Sequence, residues 1–265
     1  MKQLVTAVMA GFLGLALTAS AMAAEPLIRE NQAKKPAVVV DGQRIDTDLI
    51  LEEDGRILVP LRSVAEDLGC QVYWLEETKE IVVQGNHEVR MKLGESLMQV
   101  DGKQEQLAKP VRIINSRAIV PLRFVSERLG FTVAYDRENH AAYIFREKKD
   151  FYLYAHDDQF TLVVTNQSKD PINCTFSSGM THDFVLKQNN QEIWRWSKDK
   201  AFLMMIFGKT LNPGECWVYS SKLDQEVPPG DYILEGHFMG EDGNKFTREN
   251  NPVARISYTV SDKDN

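Results

Sequence analysis

RILVPLRSVAEDLGCQVYWLEETKEIVVQ, residues 56–84, and RAIVPLRFVSERLGFTVAYDRENHAAYIF, residues 117–145, align without a gap. Eleven of the 29 positions are identical, including Val59-Pro60-Leu61-Arg62 against Val120-Pro121-Leu122-Arg123. Upstream, Val40-Asp41-Gly42 recurs as Val100-Asp101-Gly102. Self-similarity at a fixed period marks a supersecondary unit used more than once, here a unit of about 60 residues used twice.

Both copies follow one physical plan. A short β-branched stretch (57–59 and 119–120) meets a proline, which cannot continue a ladder but is tolerated where a helix begins. Leu61, Val64, Ala65 and Leu68 then fall at i, i+3, i+4 and i+7, as do Leu122, Val125, Ser126 and Leu129, so each short helix buries one stripe. Gly69 and Gly130 end the helices, because glycine accepts the left-handed backbone that a helix C-terminus often needs. Strands are expected at 71–75 and 131–135, turns at 76–79 and 136–140, and returning strands at 81–83 and 143–145.

The twice-repeated V-P-L-R-x-V-x-E-x-L-G pattern resembles the copper amine oxidase N-terminal-like domain, over residues 38–146. The resemblance implies a sheet packed on short helices, serving as a stalk or attachment module, and no catalytic part. No copper is expected, since the repeated segments hold no histidine cluster. Arg62 and Arg123 would bind a ligand carboxylate or, more simply, pair with Glu66 and Glu127 at i, i+4. Tyr73, Trp74 and Tyr135 are the aromatics that a cell-wall polysaccharide would use, although some of them must serve the core.

The chain has 265 residues, a formal net charge of −7 and 43% hydrophobic residues, as expected of two globular domains. Neither folded segment carries a basic excess, which argues against a nucleic-acid partner. Lys2, the uncharged apolar run 4–17 and Ala21-Met22-Ala23 read as a signal peptide cleaved after Ala23. The run is too short to span a membrane, so no transmembrane segment is expected after cleavage. Residues 24–35 are polar and read as a flexible leader. The expected location is therefore secreted or the cell envelope.

After residue 149 the pattern changes to short strands divided by turns. Strands are expected at 160–165, 172–176, 183–187, 192–196, 216–220, 232–238 and 254–260, with turns at Asn212-Pro213-Gly214, Pro228-Pro229-Gly230 and Asp242-Gly243 among others. Seven or eight strands at this spacing suggest a sandwich. The order Thr165-Asn166, Pro171, Phe176-Ser177-Ser178-Gly179, Asp183-Phe184, Trp194-Arg195-Trp196-Ser197, Phe202, Leu211-Asn212-Pro213-Gly214-Glu215 and Gly230-Asp231-Tyr232 resembles the BsuPI-type intracellular proteinase inhibitor family. That resemblance implies an immunoglobulin-like sandwich able to bind a protease. The signal peptide departs from it by directing the chain outside the cell.

The expected fold is thus an α+β duplicated module of antiparallel strands and two short helices over 36–149, followed by an all-β immunoglobulin-like sandwich over 150–265. The short charged connection 147–150 suggests that the sandwich folds independently. Cys174 and Cys216 would form a disulfide only if distance and direction allow, and Cys70 reads as a buried small hydrophobe.

Partner-binding candidates lie in the second domain. Trp194 and Trp196 alternate with Arg195, which places both indoles on one sheet face as core or as contact surface. Phe202, Met204, Met205 and Phe207 fall in SKDKAFLMMIFGK, 197–209, the least strand-like segment, where apolar residues beside lysines would dock a protein. No catalytic, cofactor or metal site is expected. His87, His140, His156, His182 and His237 are scattered without ligand spacing, and neither a G-x-S-x-G elbow nor a phosphate loop appears. The expected function is an exported, non-catalytic protein-binding protein, a proteinase inhibitor displayed by a stalk-like module. The alternative is an envelope-attachment protein with no protease target.

Overall fold

The structure, a computed structural model, describes residues 35–47, 49–247 and 253–261. The expected signal peptide and nearly all of the leader lie outside the described residues. What is described is mostly β strand in several sheets, with two short helices, Leu61–Asp67 and Leu122–Arg128. No helix among the described residues is long and apolar enough to cross a membrane.

The two Val-Pro-Leu-Arg segments fold alike. Each enters its helix from an extended proline, Pro60 at φ −62° and Pro121 at φ −64°. Leu61, Val64 and Ala65 are buried in the first helix, and Leu122, Val125 and Ser126 in the second. Gly69 and Gly130 follow at φ +77° and +92°, the left-handed geometry expected of a helix terminator. The strands leading into the helices, Arg56–Pro60 and Arg117–Pro121, pair antiparallel with Val59 opposite Val120. Val59 therefore faces its own counterpart, while Pro60 faces Ile119 and Leu58 faces Pro121, the exchange expected about a local two-fold.

Three sheets make up this first segment. One runs in the order Arg112–Ile114, Arg117–Pro121, Arg56–Pro60, Leu51–Glu53. A five-stranded meander joins Gln71–Leu75, Glu80–Gln84, Glu88–Lys92, Leu97–Val100 and Lys103–Gln106. In the third, Ala37–Val40 pairs parallel with Ala141–Phe145, which also pairs with Thr132–Asp136. Asp41-Gly42 and Asp101-Gly102, both at positive φ, close two hairpins.

Every described element after residue 149 is a strand. Phe151–His156, Gln159–Thr165 and Cys216–Lys222 form one sheet, Ile172–Phe176 pairs with Phe207–Leu211, and a four-stranded sheet runs Gln191–Arg195, His182–Gln188, Gly230–Phe238, Val253–Val260. Phe160, Phe176, Phe184, Leu186, Trp194, Leu211 and Phe238 fill the core between them. Two strands of this segment were not expected from the sequence, Phe151–His156 and Phe207–Leu211, and in the first segment Ala37–Val40, Gln43–Arg44, Leu51–Glu53, Glu88–Lys92, Leu97–Val100, Lys103–Gln106 and Arg112–Ile114 were likewise not expected.

The two segments are not separated by a bare linker. Ala134, Ala141, Tyr143 and Phe145 from the first share a buried cluster with Tyr152, Val163 and Cys216 from the second. The Phe145 and Tyr152 rings stack with centroids 3.7 Å apart. Tyr152 Oη donates to the Glu147 carbonyl at 2.6 Å and accepts from the Lys149 N–H at 2.9 Å, which folds the charged connection down onto the cluster. The expected independence of the second segment therefore meets a shared apolar interface.

That interface is completed by the Asn-Pro-Gly-Glu turn. Tyr135 N–H donates to the Gly214 carbonyl at 3.0 Å, and the Glu215 carboxylate receives both Arg137 and the Asn212 amide. Arg123 departs from its expected partner Glu127 and donates to the Gly214 carbonyl at 3.0 Å, whereas Arg62 keeps Glu66 at 3.7 Å. A cleft of about 740 Å³ opens beside this contact, lined by Arg56, Phe124, Tyr135 and His140 among others.

Candidate functional site: an exposed apolar loop with fixed roots

The segment between the strands Gln191–Arg195 and Phe207–Leu211 is anchored from below by one buried carboxylate. Asp183, 1% exposed, accepts from Arg195 Nη1 at 2.6 Å, Ser197 Oγ at 2.7 Å and Ser197 N–H at 3.1 Å. Burying a carboxylate is costly unless it is paired and hydrogen-bonded, and these bonds compensate the cost by immobilising the start of the loop. The chain then turns, with Lys200 N–H donating to the Ser197 carbonyl at 3.1 Å and Lys200 Nζ to the Trp196 carbonyl at 2.7 Å. The same ammonium lies 4.8 Å from the Trp196 ring centroid, a cation–π arrangement.

Trp196 links this turn to the sheet below. Its ring stacks on His182 at 4.5 Å and packs against Phe202 at 5.7 Å, and His182 stacks in turn on Tyr219 at 4.8 Å. Burial between these rings lowers the His182 pKa to about 4, against a smaller opposing effect of Asp183, so the imidazole is neutral at pH 7. Above this aromatic stack the backbone leaves regular structure. Leu203, Met204, Met205 and Ile206 are 76%, 88%, 49% and 79% exposed. Phe207 returns the chain to order, with its ring stacked on Phe176 at 4.9 Å.

The sequence candidates separate accordingly. Met204 and Met205 are exposed on the loop. Phe202, Phe207 and Trp196 are half-buried and support it. Trp194 belongs to the core: it is 5% exposed, packs 5.8 Å from Phe160 and donates its indole N–H to Asp224 at 2.8 Å. The two indoles do not share one environment, because the strand ends at Arg195 and Trp196 already lies in the turn. Leu203 and Ile206 were not singled out from the sequence, although four consecutive large apolar residues, 203–206, outside any strand were the available signal.

Other candidate chemistry is accounted for locally. His87 contacts Asp101 at 2.7 Å, His140 lies between Tyr135 Oη at 2.6 Å and Glu52 at 3.1 Å, and His237 contacts Glu235 at 3.1 Å. Among the described residues no group of three or more His, Cys, Asp or Glu is placed to hold a metal ion. Tyr73 and Trp74 are 44% and 38% exposed on Gln71–Leu75, an edge strand of the meander. The three cysteines are buried and unpaired, and Cys174 and Cys216 belong to different clusters, so the disulfide considered from the sequence is not formed.

Comparison with known proteins divides the chain at the same junction. Residues 39–144 match the family model of the copper amine oxidase N-terminal domain, and residues 145–243 match that of the intracellular proteinase inhibitor. The two matches follow one another along the chain, each over less than half of it. A "Protease inhibitor" of Brevibacillus choshinensis is 38% identical over 98 residues, which is 36% of this chain and 30% of that protein. The match therefore spans less than a third of that relative's length.

Proposed function

We propose that this chain is a non-catalytic proteinase inhibitor whose protease-facing surface is the loop 197–207. The observation that carries the reading is the run Leu203 to Ile206, held out in solvent on a segment that matches the intracellular proteinase inhibitor model. Scattered single hydrophobics on a surface need no explanation, but a contiguous apolar run of this exposure marks a site that is covered in a complex. Its roots are fixed by Asp183 and by the Phe176–Phe207 stack, so little loop entropy remains to be lost when a partner binds.

In the same reading the first segment is a duplicated α+β module that displays an immunoglobulin-like sandwich outside the membrane after signal cleavage near Ala24. The repeated turn and helix geometry and the parallel between 56–84 and 117–145 support the duplication. The apolar run 4–17 followed by Ala21-Met22-Ala23 supports export. The exposed Tyr73 and Trp74 support attachment to a cell-wall component, the reading in which no protease is bound. Stoichiometric titration of secreted endopeptidases with the full chain tests the proposal. Inhibition that disappears when residues 203–206 are replaced by Gly-Ser-Ser-Gly supports it, and inhibition unaffected by that replacement removes the loop from the mechanism. Retention on purified cell walls without any protease effect would favour attachment.

A further inference from the structure

The loop also distinguishes one side chain from its neighbours. The Leu203 carbonyl accepts two hydrogen bonds, from Gly179 N–H at 2.8 Å and from Met205 N–H at 3.1 Å. A bond from residue i+2 back to residue i closes a γ-turn with Met204 as its central residue. Met204 is the most exposed large hydrophobic among the described residues, at 88%. The central side chain of such a turn lies outside its hydrogen-bonded ring, and Met204 is accordingly more exposed than either flanking residue, Leu203 at 76% or Met205 at 49%. Methionine suits that position, being unbranched and flexible enough to fill a narrow apolar slot.

The charges around the turn decide which slot. Leu203, Met204, Met205 and Ile206 carry none, and Lys200 is committed to the Trp196 carbonyl and to Asp224 at the base of the loop. A pocket with a buried carboxylate, built for lysine or arginine, would have that charge covered by a thioether and left without a partner. A cationic pocket built for an acidic residue would suffer the same loss. Resting on the inhibitor reading above, we propose that Met204 is the specificity-determining residue and that the target is an endopeptidase with an uncharged, apolar primary pocket.

The test uses the full chain and its Met204→Gly, Met204→Leu and Met204→Arg variants. Each is titrated against three endopeptidases, one cleaving after large apolar residues, one after Lys or Arg and one after Glu. The wild-type chain should inhibit the first. Met204→Leu should retain that inhibition, and Met204→Gly should weaken it by roughly 10- to 100-fold, the equivalent of burying one large apolar side chain. Met204→Arg should lose the first enzyme and gain the second. An exposed tip should leave the thermal midpoint of every variant unchanged, and Met204→Leu distinguishes lost contact from lost structure. If the wild-type chain inhibits the first enzyme and Met204→Gly and Met204→Arg do so equally well, the anchor is wrong while the inhibitor reading stands. Inhibition confined to the Lys/Arg- or Glu-specific enzyme overturns the apolar pocket alone, and no inhibition of any enzyme overturns both proposals.

Discussion

Truncating Tyr152 tests whether the two segments melt as one. The side chain is 8% exposed, and its ring lies on Phe145 at 3.7 Å in a cluster drawn from both segments. Removing a buried aromatic costs about 3–5 kcal/mol, and the stacking itself accounts for about 0.5–1.5 kcal/mol of such a pair. Tyr152→Ala should therefore lower the stability of the full chain by about 3–5 kcal/mol, a shift in melting temperature of roughly 6–20 °C for a unit of this size. Tyr152→Phe keeps the stack but leaves the Glu147 carbonyl and the Lys149 N–H without their hydroxyl partner, and should cost about 1–2 kcal/mol. Calorimetry of the full chain, checked by near-UV circular dichroism, reads both effects. Two separate transitions in the wild type, with only one moved by Tyr152→Ala, would refute the shared interface, as would a loss below about 1 kcal/mol.

Gly130→Val places a β-branched residue at φ +92° with its Cβ 3.3 Å from Asn86, whereas Gly69→Val at φ +77° meets only the tip of Arg146 at 3.5 Å. Both should destabilise by about 1 kcal/mol or more, Gly130→Val by the larger amount, and unchanged denaturant midpoints would contradict the capping argument. The buried His182 makes stability depend on pH. Its folded pKa, near 4, is below the ordinary value of 6.5, so its contribution is complete above pH 6.5 and is lost as pH falls towards 4, by up to about 3 kcal/mol. His182→Gln should flatten the urea midpoint between pH 7 and pH 4.5, leaving the smaller slope of His237, whose pKa burial also lowers. An identical slope in the variant would place the sensitivity elsewhere.

The parts of the fold that were legible in the sequence are those set by local chemistry. Pro60, Pro121, Gly69 and Gly130 bound two helices whose stripes are read from spacing alone, and the structure follows them closely. What was missed depends on distant partners. Phe151–His156 is joined to Gln159–Thr165 by Asp157-Asp158, a turn without glycine or proline in which Asp157 takes φ +50°. Phe207–Leu211 exists because Ile172–Phe176 pairs with it, and nothing in its own Gly-Lys-Thr sequence requires a strand. The i, i+4 rule gave Arg62 its partner but not Arg123, where a carbonyl 91 residues away replaces Glu127. The exposed apolar run 203–206 lies within the stretch 197–209 that composition singled out. Which of its side chains face solvent is decided by Asp183, Gly179 and Trp196, all outside the apolar run.

The surroundings of the three cysteines bear on the conditions in which the fold can exist. Burial raises the pKa of Cys70, brings that of Cys174 up to about 12 and holds Cys216 well above its ordinary value. The thiolate is the species that attacks disulfides and oxidants, so at neutral pH all three sulfurs are chemically quiet as well as enclosed. None depends on a bridge for its place, and none is offered to another chain. The same packing therefore needs no covalent bond to hold it, whether its surroundings are reducing or oxidising.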